Sequence, residues 1–139
     1  MERQDWILVV LAAADDYALT PVQLQKALFL AGQDKPELVG TDFYSFTPYA
    51  YGPFDRMVYQ DADHLAAEGL VMIEPPFSGY RTYKITASGI RHGSQLSDFD
   101  AKVGGVCETV KWVKARSFSQ LVSDIYERFP EMRVNSIFR

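Results

Sequence analysis

The side chains that could perform acid–base or metal chemistry are few and scattered along this sequence. His64 follows Asp63, but neighbours one residue apart on a helix point in different directions and do not form a proton-transfer pair. The second histidine, His92, and the single cysteine, Cys107, lack the spacing of metal ligands. The glycine pair at 104–105 lacks the flanking residues of a nucleotide-binding loop, and no nucleophile stands with a base. The sequence therefore predicts a protein without catalysis, metal or cofactor.

The composition is typical of one folded domain. The chain has 139 residues, of which 47% are hydrophobic and 14% aromatic, and this excludes a disordered protein. Its longest apolar run, 6–14, is shorter than the roughly 18 residues that a membrane span needs. The start lacks the basic segment of a signal peptide, and one cysteine forms no internal disulfide. We expect a single domain over 1–139, located in the cytoplasm and without membrane contact.

Charge is distributed unevenly along the chain, whose net charge is −4. Residues 1–69 carry four basic and eleven acidic side chains, a balance of −7. Residues 70–139 carry ten basic and seven acidic side chains, a balance of +3. We therefore expect a cationic partner to meet the first half and an anionic partner to meet the second.

Start and stop signals predict helices over most of the chain. The segment 20–23, Thr-Pro-Val-Gln, combines an N-cap threonine, a first-turn proline and an N3 glutamine. This capping-box pattern predicts a helix from Pro21 to Ala31, ended by Gly32 and followed by a surface loop. Apolar spacing and caps predict further helices over 4–16, 53–69 and 87–96 and in the C-terminal region 97–130. The first of these should have its apolar residues on one side, Thr86 should cap the helix over 87–96, and Ser117 should open the last helix.

The segment 51–54, Tyr-Gly-Pro-Phe, introduces the helix that organises this chain. Its proline suits the first helical position, and apolar residues recur from there at helical spacing until Gly69, which predicts a left-handed C-terminal cap. Six aromatic residues fall within 43–54. They either fill the core, or Tyr49 and Tyr51 are partly exposed and form a protein contact patch.

The residues after Gly69 predict a β-hairpin. Leu70, Val71 and Ile73 begin a strand, a turn rich in proline and glycine follows at 75–79, and apolar and polar residues alternate over 80–85. A shorter strand is predicted over 43–47. Because a helix leading directly into a hairpin is the outline of a winged helix, the predicted fold class is α+β. It has a mainly helical winged-helix-like core over about 4–96, a β-hairpin wing and extra C-terminal helices over about 97–130.

An apolar seam marks the C-terminal region. Valines follow Phe99 at alternating four- and three-residue steps as far as Val113, about two heptads. A seam this short packs within one chain or joins two copies as a homodimer. The sequence leaves both alternatives open.

One candidate function is DNA binding by a winged-helix transcriptional regulator, since such proteins often insert the helix before the wing into the major groove. Arg56 and Gln60 lie one turn apart and read guanine and adenine edges, while Arg81 and Lys84 would lie on the wing. The helix over 53–69, however, carries one basic and four acidic side chains, which opposes contact with phosphates.

The favoured candidate function is protein binding. The acidic, aromatic-flanked face of this helix suits a basic protein surface better than a nucleic acid. The predicted partner-binding residues are Tyr49, Tyr51, Arg56, Tyr59 and Gln60.

Two motifs of the chain resemble the Panacea, or SocA-like, domain of phage-associated proteins and antitoxins. The first is an L-x-L-Q-K-L-L-Y/F-x-A helix, matched here at Leu24, Gln25, Lys26, Leu28 and Phe29. The second is a Y-G-P turn, matched at 51–53, and the segment 83–89 is similar to the end of the hairpin in winged-helix regulators. The resemblance covers about 18–92. It implies a toxin-neutralising or adaptor role exercised by protein–protein contact, in a protein of phage or mobile-element origin.

Overall fold

The computed structural model describes residues 1–75 and 81–138 and shows a mainly helical α+β fold, which confirms the predicted class. The helices are α1 (Asp5–Ala13), α2 (Pro21–Asp34), α3 (Pro36–Val39), α4 (Arg56–Ala67), α5 (Ala87–Ser94), α6 (Phe99–Lys114), α7 (Phe118–Arg128) and a 3-10 helix (Pro130–Arg133). The strands are β1 (Thr47–Tyr49), β2 (Gly52–Phe54), β3 (Val71–Glu74) and β4 (Thr82–Ile85). None of the described helices is long and apolar enough to cross a membrane. The winged-helix assignment stays a prediction.

Helix α1 lies at the centre of the core. Its residues 6–11 are each at most 2% exposed, and α1 contacts α2, α5, α6 and β4. A helix that is apolar on every side belongs in the interior, where each large side chain contributes about 1.5–3 kcal/mol by burial. The expectation of one apolar side was therefore too narrow. The helix also ends earlier than predicted, at Ala13.

The predicted apolar seam of helix α6 packs within the same chain. Phe99, Val106, Val110 and Val113 are buried, and α6 packs on α1 and α2. Exposing this seam to a second copy would unpack the core. A homodimer stays a prediction, and it would require a different surface.

Helix α2 begins as predicted but ends later. Thr20 Oγ1 accepts a hydrogen bond from Gln23 N at 3.2 Å, and Gln23 Oε1 accepts one from Thr20 N at 2.9 Å, which confirms the capping box. Gly32 does not end the helix, which continues to Asp34. Its glycine is explained by packing instead, because a Cβ there would lie 2.8 Å from Phe43 Cε2. The surface loop expected next contains α3.

The second hairpin, β3–β4, has the predicted antiparallel pairing over four residues of each strand. Leu19 extends it through two backbone hydrogen bonds with Tyr83, of 2.9 and 2.8 Å. The turn predicted over 75–79 lies, after its first residue, outside the described residues. Beyond β4, Thr86 Oγ1 accepts from Gly89 N at 2.9 Å and caps α5, as predicted.

Candidate functional site

The segment 51–54 forms the end of a turn and a strand, not the start of a helix. β2 pairs with β1 across a two-residue turn at 50–51, and the two strands form the first hairpin. The helix begins at Arg56 because Asp55 Oδ1 accepts a hydrogen bond from Met57 N at 2.9 Å, which makes aspartate the N-cap. The strand predicted over 43–47 was also misplaced, since only its last residue lies in β1.

The first hairpin contains a proline in each strand. Pro48 lies opposite Pro53. In an antiparallel pair, the residues that close a two-residue turn exchange hydrogen bonds and the next pair does not, so neither proline has to donate one. Gly52 adopts a φ of +106°, which side chains rarely allow. The Gly-Pro sequence is therefore compatible with this strand and turn as well as with the start of a helix.

Two buried polar side chains from α2 hold the first hairpin. Gln25 Nε2 donates to Asp55 O at 2.9 Å, and Gln25 Oε1 accepts from Asp55 N at 3.1 Å. Lys26 Nζ donates to Pro53 O at 3.3 Å. Gln25 is 1% exposed and Lys26 3%. These contacts join the Gln-Lys pair of the helix motif to the Tyr-Gly-Pro turn motif, although 30 positions separate Gln25 from Asp55.

The surroundings of Lys26 disfavour its charge. Burial lowers the pKa of Lys26 to about 8. A Cβ at Gly52 would lie 3.5 Å from Lys26 Cε and 3.4 Å from Tyr126 Cε1, so the glycine fits closely between these side chains. The hydroxyl of Tyr126 is buried without a hydrogen-bond partner in the described part of the chain. The hairpin is thus fixed by groups that are costly to bury.

The turn of the first hairpin presents two tyrosines to solvent. Tyr49 is 57% exposed and stacks on Phe54 at a ring distance of 4.8 Å, and Tyr51 is 39% exposed. The other alternative, that the aromatic residues fill the core, describes the preceding part of the segment, where Tyr44 is buried and Phe46 packs on the core. The exposure expected for the two tyrosines is present.

Distant parts of the chain extend this surface, and the sequence analysis missed them. The ring of Tyr51 contacts Phe118 at 5.2 Å, and Phe118 contacts Phe138 at 5.9 Å. The C-terminal segment lies on the turn, where Ile137 N donates to Ala50 O at 3.0 Å. We call the exposed apolar residues here the hairpin surface, which consists of Tyr49, Tyr51, Phe118, Val134 and Ile137. No local pattern connects residues so far apart in sequence.

The remaining predicted partner-binding residues on α4 have different environments. Arg56 and Gln60 are exposed, as expected. Tyr59 was expected on the exposed side, and this was wrong because its ring packs 5.7 Å from Phe54 and 6.3 Å from Tyr83. Burial, with the nearby Tyr83 as a smaller cause, raises the pKa of Tyr59 to about 12.

The acidic face predicted for α4 is largely neutralised within the chain. Asp61 is buried, and its carboxylate accepts from Tyr44 Oη at 2.7 Å and from Arg3 Nε at 2.9 Å. Burial first, and the hydrogen bond to Asp61 second, raise the pKa of Tyr44. Asp63 accepts from Arg81 Nη2 at 2.7 Å. A count of sequence charges therefore overstated the attraction of this helix for a basic surface.

Of the residues named for DNA binding, one cation is already paired within the chain. Lys84 is exposed on β4, but the guanidinium of Arg81 is engaged by Asp63 and lies 5.5 Å from the ring centre of Tyr83. Hydrogen bonding to Asp63 raises the pKa of Arg81. Among the described residues, no group of three or more histidine, cysteine or acidic side chains is placed to hold a metal ion.

No family model matches this sequence, and no curated protein matches it. The resemblance to the Panacea domain stays a prediction, carried by the helix motif and the turn motif. The structure adds that the two motifs are in contact through Lys26 and Pro53, and that Gln25 binds Asp55 two residues beyond the turn motif.

Proposed function

We propose that this chain is a non-enzymatic, antitoxin-like protein-binding module that docks its partner on the hairpin surface. The observation that supports it is the exposure of Tyr49 and Tyr51 on a hairpin fixed by Gln25 and Lys26. Protein interfaces are enriched in aromatic residues at their centres, and tyrosines there often account for much of the binding energy.

The rigidity of the hairpin supports a docking role. A two-residue turn with a proline in each strand has few conformations, and buried side chains hold its backbone on the protein side. A surface already ordered before association loses little conformational entropy on binding. Burying Lys26 opposes stability, and this cost is understandable if the hairpin must keep one shape for a partner.

The contacts change the chemistry expected of the partner. Asp61 and Asp63 are paired with arginines of the same chain, so attraction of a basic surface to α4 is weaker than the sequence suggests. The partner should instead present an apolar or aromatic patch, with Arg56 and Gln60 of this chain at the polar edge of the contact. A toxin-like protein encoded beside this chain, on a phage or another mobile element, is the partner we propose.

Co-purification tests the proposal. The tagged full chain should form a stable complex with the product of a neighbouring gene. Tyr51→Ala should weaken that complex by more than about tenfold, because truncation of a central interface tyrosine costs about 2 kcal/mol. Tyr17→Ala is the matched control, since Tyr17 is 65% exposed and lies outside the hairpin surface. A complex equally insensitive to both substitutions, or no complex with any neighbouring product, would contradict the proposal.

DNA binding is a second candidate function because Arg56 and Gln60 are both exposed one turn apart on α4. It predicts a complex with the promoter of the chain's own gene that weakens steeply as salt rises. Arg56→Ala should then reduce promoter binding while leaving the protein complex largely intact. Equal, weak binding to any sequence at low salt would remove this candidate.

A further inference from the structure

A cleft separate from the first hairpin lies where the N-terminal ends of α2 and α7 meet the start of β4. Its cavity volume is about 470 Å³. Val22, Phe118 and Leu121 contribute apolar walls, and Arg81 and Arg116 contribute the charged side chains. This volume is within the range of about 300–1,000 Å³ that is usual for small-molecule sites.

The two guanidinium groups of the cleft are held in place by other residues. Arg116 Nε donates to Asp124 Oδ2 at 2.8 Å and Nη1 to Trp112 O at 2.9 Å, while its guanidinium lies 3.6 Å from the centre of the Trp112 ring. Arg81 Nη2 donates to Asp63 Oδ1 at 2.7 Å. A guanidinium has five N–H donors, so these contacts fix each group and leave donors for a ligand.

We propose that this cleft binds a small apolar carboxylate. An aliphatic or aromatic body packs against Val22, Phe118 and Leu121, and the carboxylate accepts hydrogen bonds from Arg81 and Arg116. Each guanidinium keeps its own carboxylate, Asp63 or Asp124, so the cleft selects its ligand by free N–H donors rather than by net charge. Arg81 Nε is buried without a hydrogen-bond partner among the described residues, and none of the described residues that line the cleft is acidic, so a hydrogen-bond acceptor suits this position. Arginine also matches the planar, two-oxygen geometry of a carboxylate.

The proposal does not depend on the protein partner. Phe118 is the one member of the hairpin surface that also lines the cleft. Binding to the cleft can therefore be measured on the isolated full chain.

A matched set of probes tests the proposal. In an NMR titration of the labelled protein, 3-phenylpropionate should produce saturable shifts at the backbone amides of Val22 and Ser117. The corresponding amine, 3-phenylpropylamine, has the same hydrophobic group with the opposite charge. Acetate has the carboxylate without the hydrophobic group. Both should bind at least about tenfold more weakly, since the amine loses the hydrogen bonds between carboxylate and arginine and acetate loses the apolar packing. No saturable shift with 3-phenylpropionate, or equal binding of the amine, would overturn the proposal.

Substitutions locate the site. Arg81→Gln should weaken 3-phenylpropionate binding by about tenfold, because it removes a charged hydrogen-bond donor. Lys84→Gln is the matched control, since Lys84 is an exposed cation of the same strand outside the cleft lining. Thermal melting should show both variants folded. An equal loss of binding in both would indicate general charge attraction, and no loss in Arg81→Gln would place the ligand elsewhere; either result overturns the assignment.

Discussion

The two hairpins of this protein are held in different ways. β3 and β4 pair over four residues each, and their inward side chains, such as Tyr83 and Ile85, are buried in the core. β1 and β2 pair over three residues each and include two opposed prolines. This shorter pairing is secured from outside, by Gln25 and by Lys26 of α2.

The comparison shows that the conformation of a β-hairpin can be determined either by its own residue pattern or by contacts with another element. β3–β4 follows from its own alternation of apolar and polar residues, which any hairpin buried on one face requires. β1–β2 is imposed by hydrogen bonds from a helix that precedes it in sequence. Substitutions should therefore affect the two hairpins differently, through backbone packing in one and through side-chain hydrogen bonds in the other.

The largest effect is expected where α5 packs against the second hairpin, for Gly89→Ala. A Cβ at Gly89 would overlap the carbonyl oxygen of Leu70 and lie 2.7 Å from Ile85 Cγ1. Forcing the backbone apart should lower the free energy of unfolding by about 4 kcal/mol, as overpacking against main chain does at its most severe. Urea denaturation measures the change. The control Gly104→Ala, which meets no atom within 4 Å, should stabilise the helix by up to ~1 kcal/mol. Similar values for the two variants would show that the close approach at Gly89 is absent.

Gln25→Ala should break the support of the first hairpin. It leaves the partly buried N–H of Asp55 without its partner, while the C=O of Asp55 keeps a hydrogen bond from Val58 N, and this should cost about 2 kcal/mol of unfolding free energy. Gln33→Ala, an exposed position of the same helix, should change stability by less than about 0.5 kcal/mol. Amide exchange should accelerate first in β1–β2. Uniform acceleration in both hairpins would contradict the local role of Gln25.

Lys26→Met tests the second support through pH. The pKa of Lys26 is lowered to about 8 in the folded protein from its usual 10.5, so between these values the unfolded chain binds more protons. The free energy of unfolding should therefore rise from pH 8 to 10.5, by about 3 kcal/mol in total from this group. Below pH 8 Lys26 is charged in both the folded and the unfolded protein, and burial of this charge lowers the free energy of unfolding by its full amount. Lys26→Met should gain about 2 kcal/mol at pH 7, after loss of one hydrogen bond.

The control for this pH profile is Lys35→Met, at an exposed position, which should keep the rise seen in the unmodified protein. The advantage of Lys26→Met should shrink as the pH rises and reverse by about 1 kcal/mol above pH 10.5, where only the lost hydrogen bond to Pro53 O distinguishes the two proteins. If Lys26→Met retains the same alkaline rise, the stabilisation comes from other groups and Lys26 is not held in a desolvated site.

Removal of residues 134–139 should have the smallest effect on stability. Val134 and Ile137 are exposed, and the segment contacts the first hairpin mainly by hydrogen bonds such as that from Ile137 N to Ala50 O. The free energy of unfolding should change by less than about 1 kcal/mol. Hydrogen exchange should nevertheless become faster in β1–β2 and remain unchanged in β3–β4. Unchanged exchange in both hairpins would show that the C-terminal segment does not support the turn.

Local signals in the sequence predicted much of the fold. The capping box at Thr20, the cap at Ser117 and the left-handed Gly69, with a φ of +79°, are present because each depends on residues within one helical turn. The same locality explains the error at Pro53. A proline that suits a first helical turn suits a hairpin pair without hydrogen bonds equally well, and only contacts with α2 distinguish the two.

The candidate site was predicted in part. The exposure of Tyr49 and Tyr51 was one of the two alternatives that the sequence left open for the aromatic segment. Their neighbour Phe118 was not predicted, and neither were the supporting roles of Gln25 and Lys26. Side chains separated by a large part of the chain are brought together by packing, and no spacing rule within one segment contains that information.

The sequence by itself determined the helical α+β class, the caps at Thr20, Ser117 and Gly69 and the second hairpin, since these depend on periodicity and on neighbours a few residues apart. The tertiary structure alone decided that α1 is buried on all sides and that Asp61 is paired with Arg3, 58 positions away. It also decided that the segment after Ala50 is a strand held by α2. The physical reason is the same in each case: burial and long-range hydrogen bonds select among local conformations that the sequence leaves close in free energy.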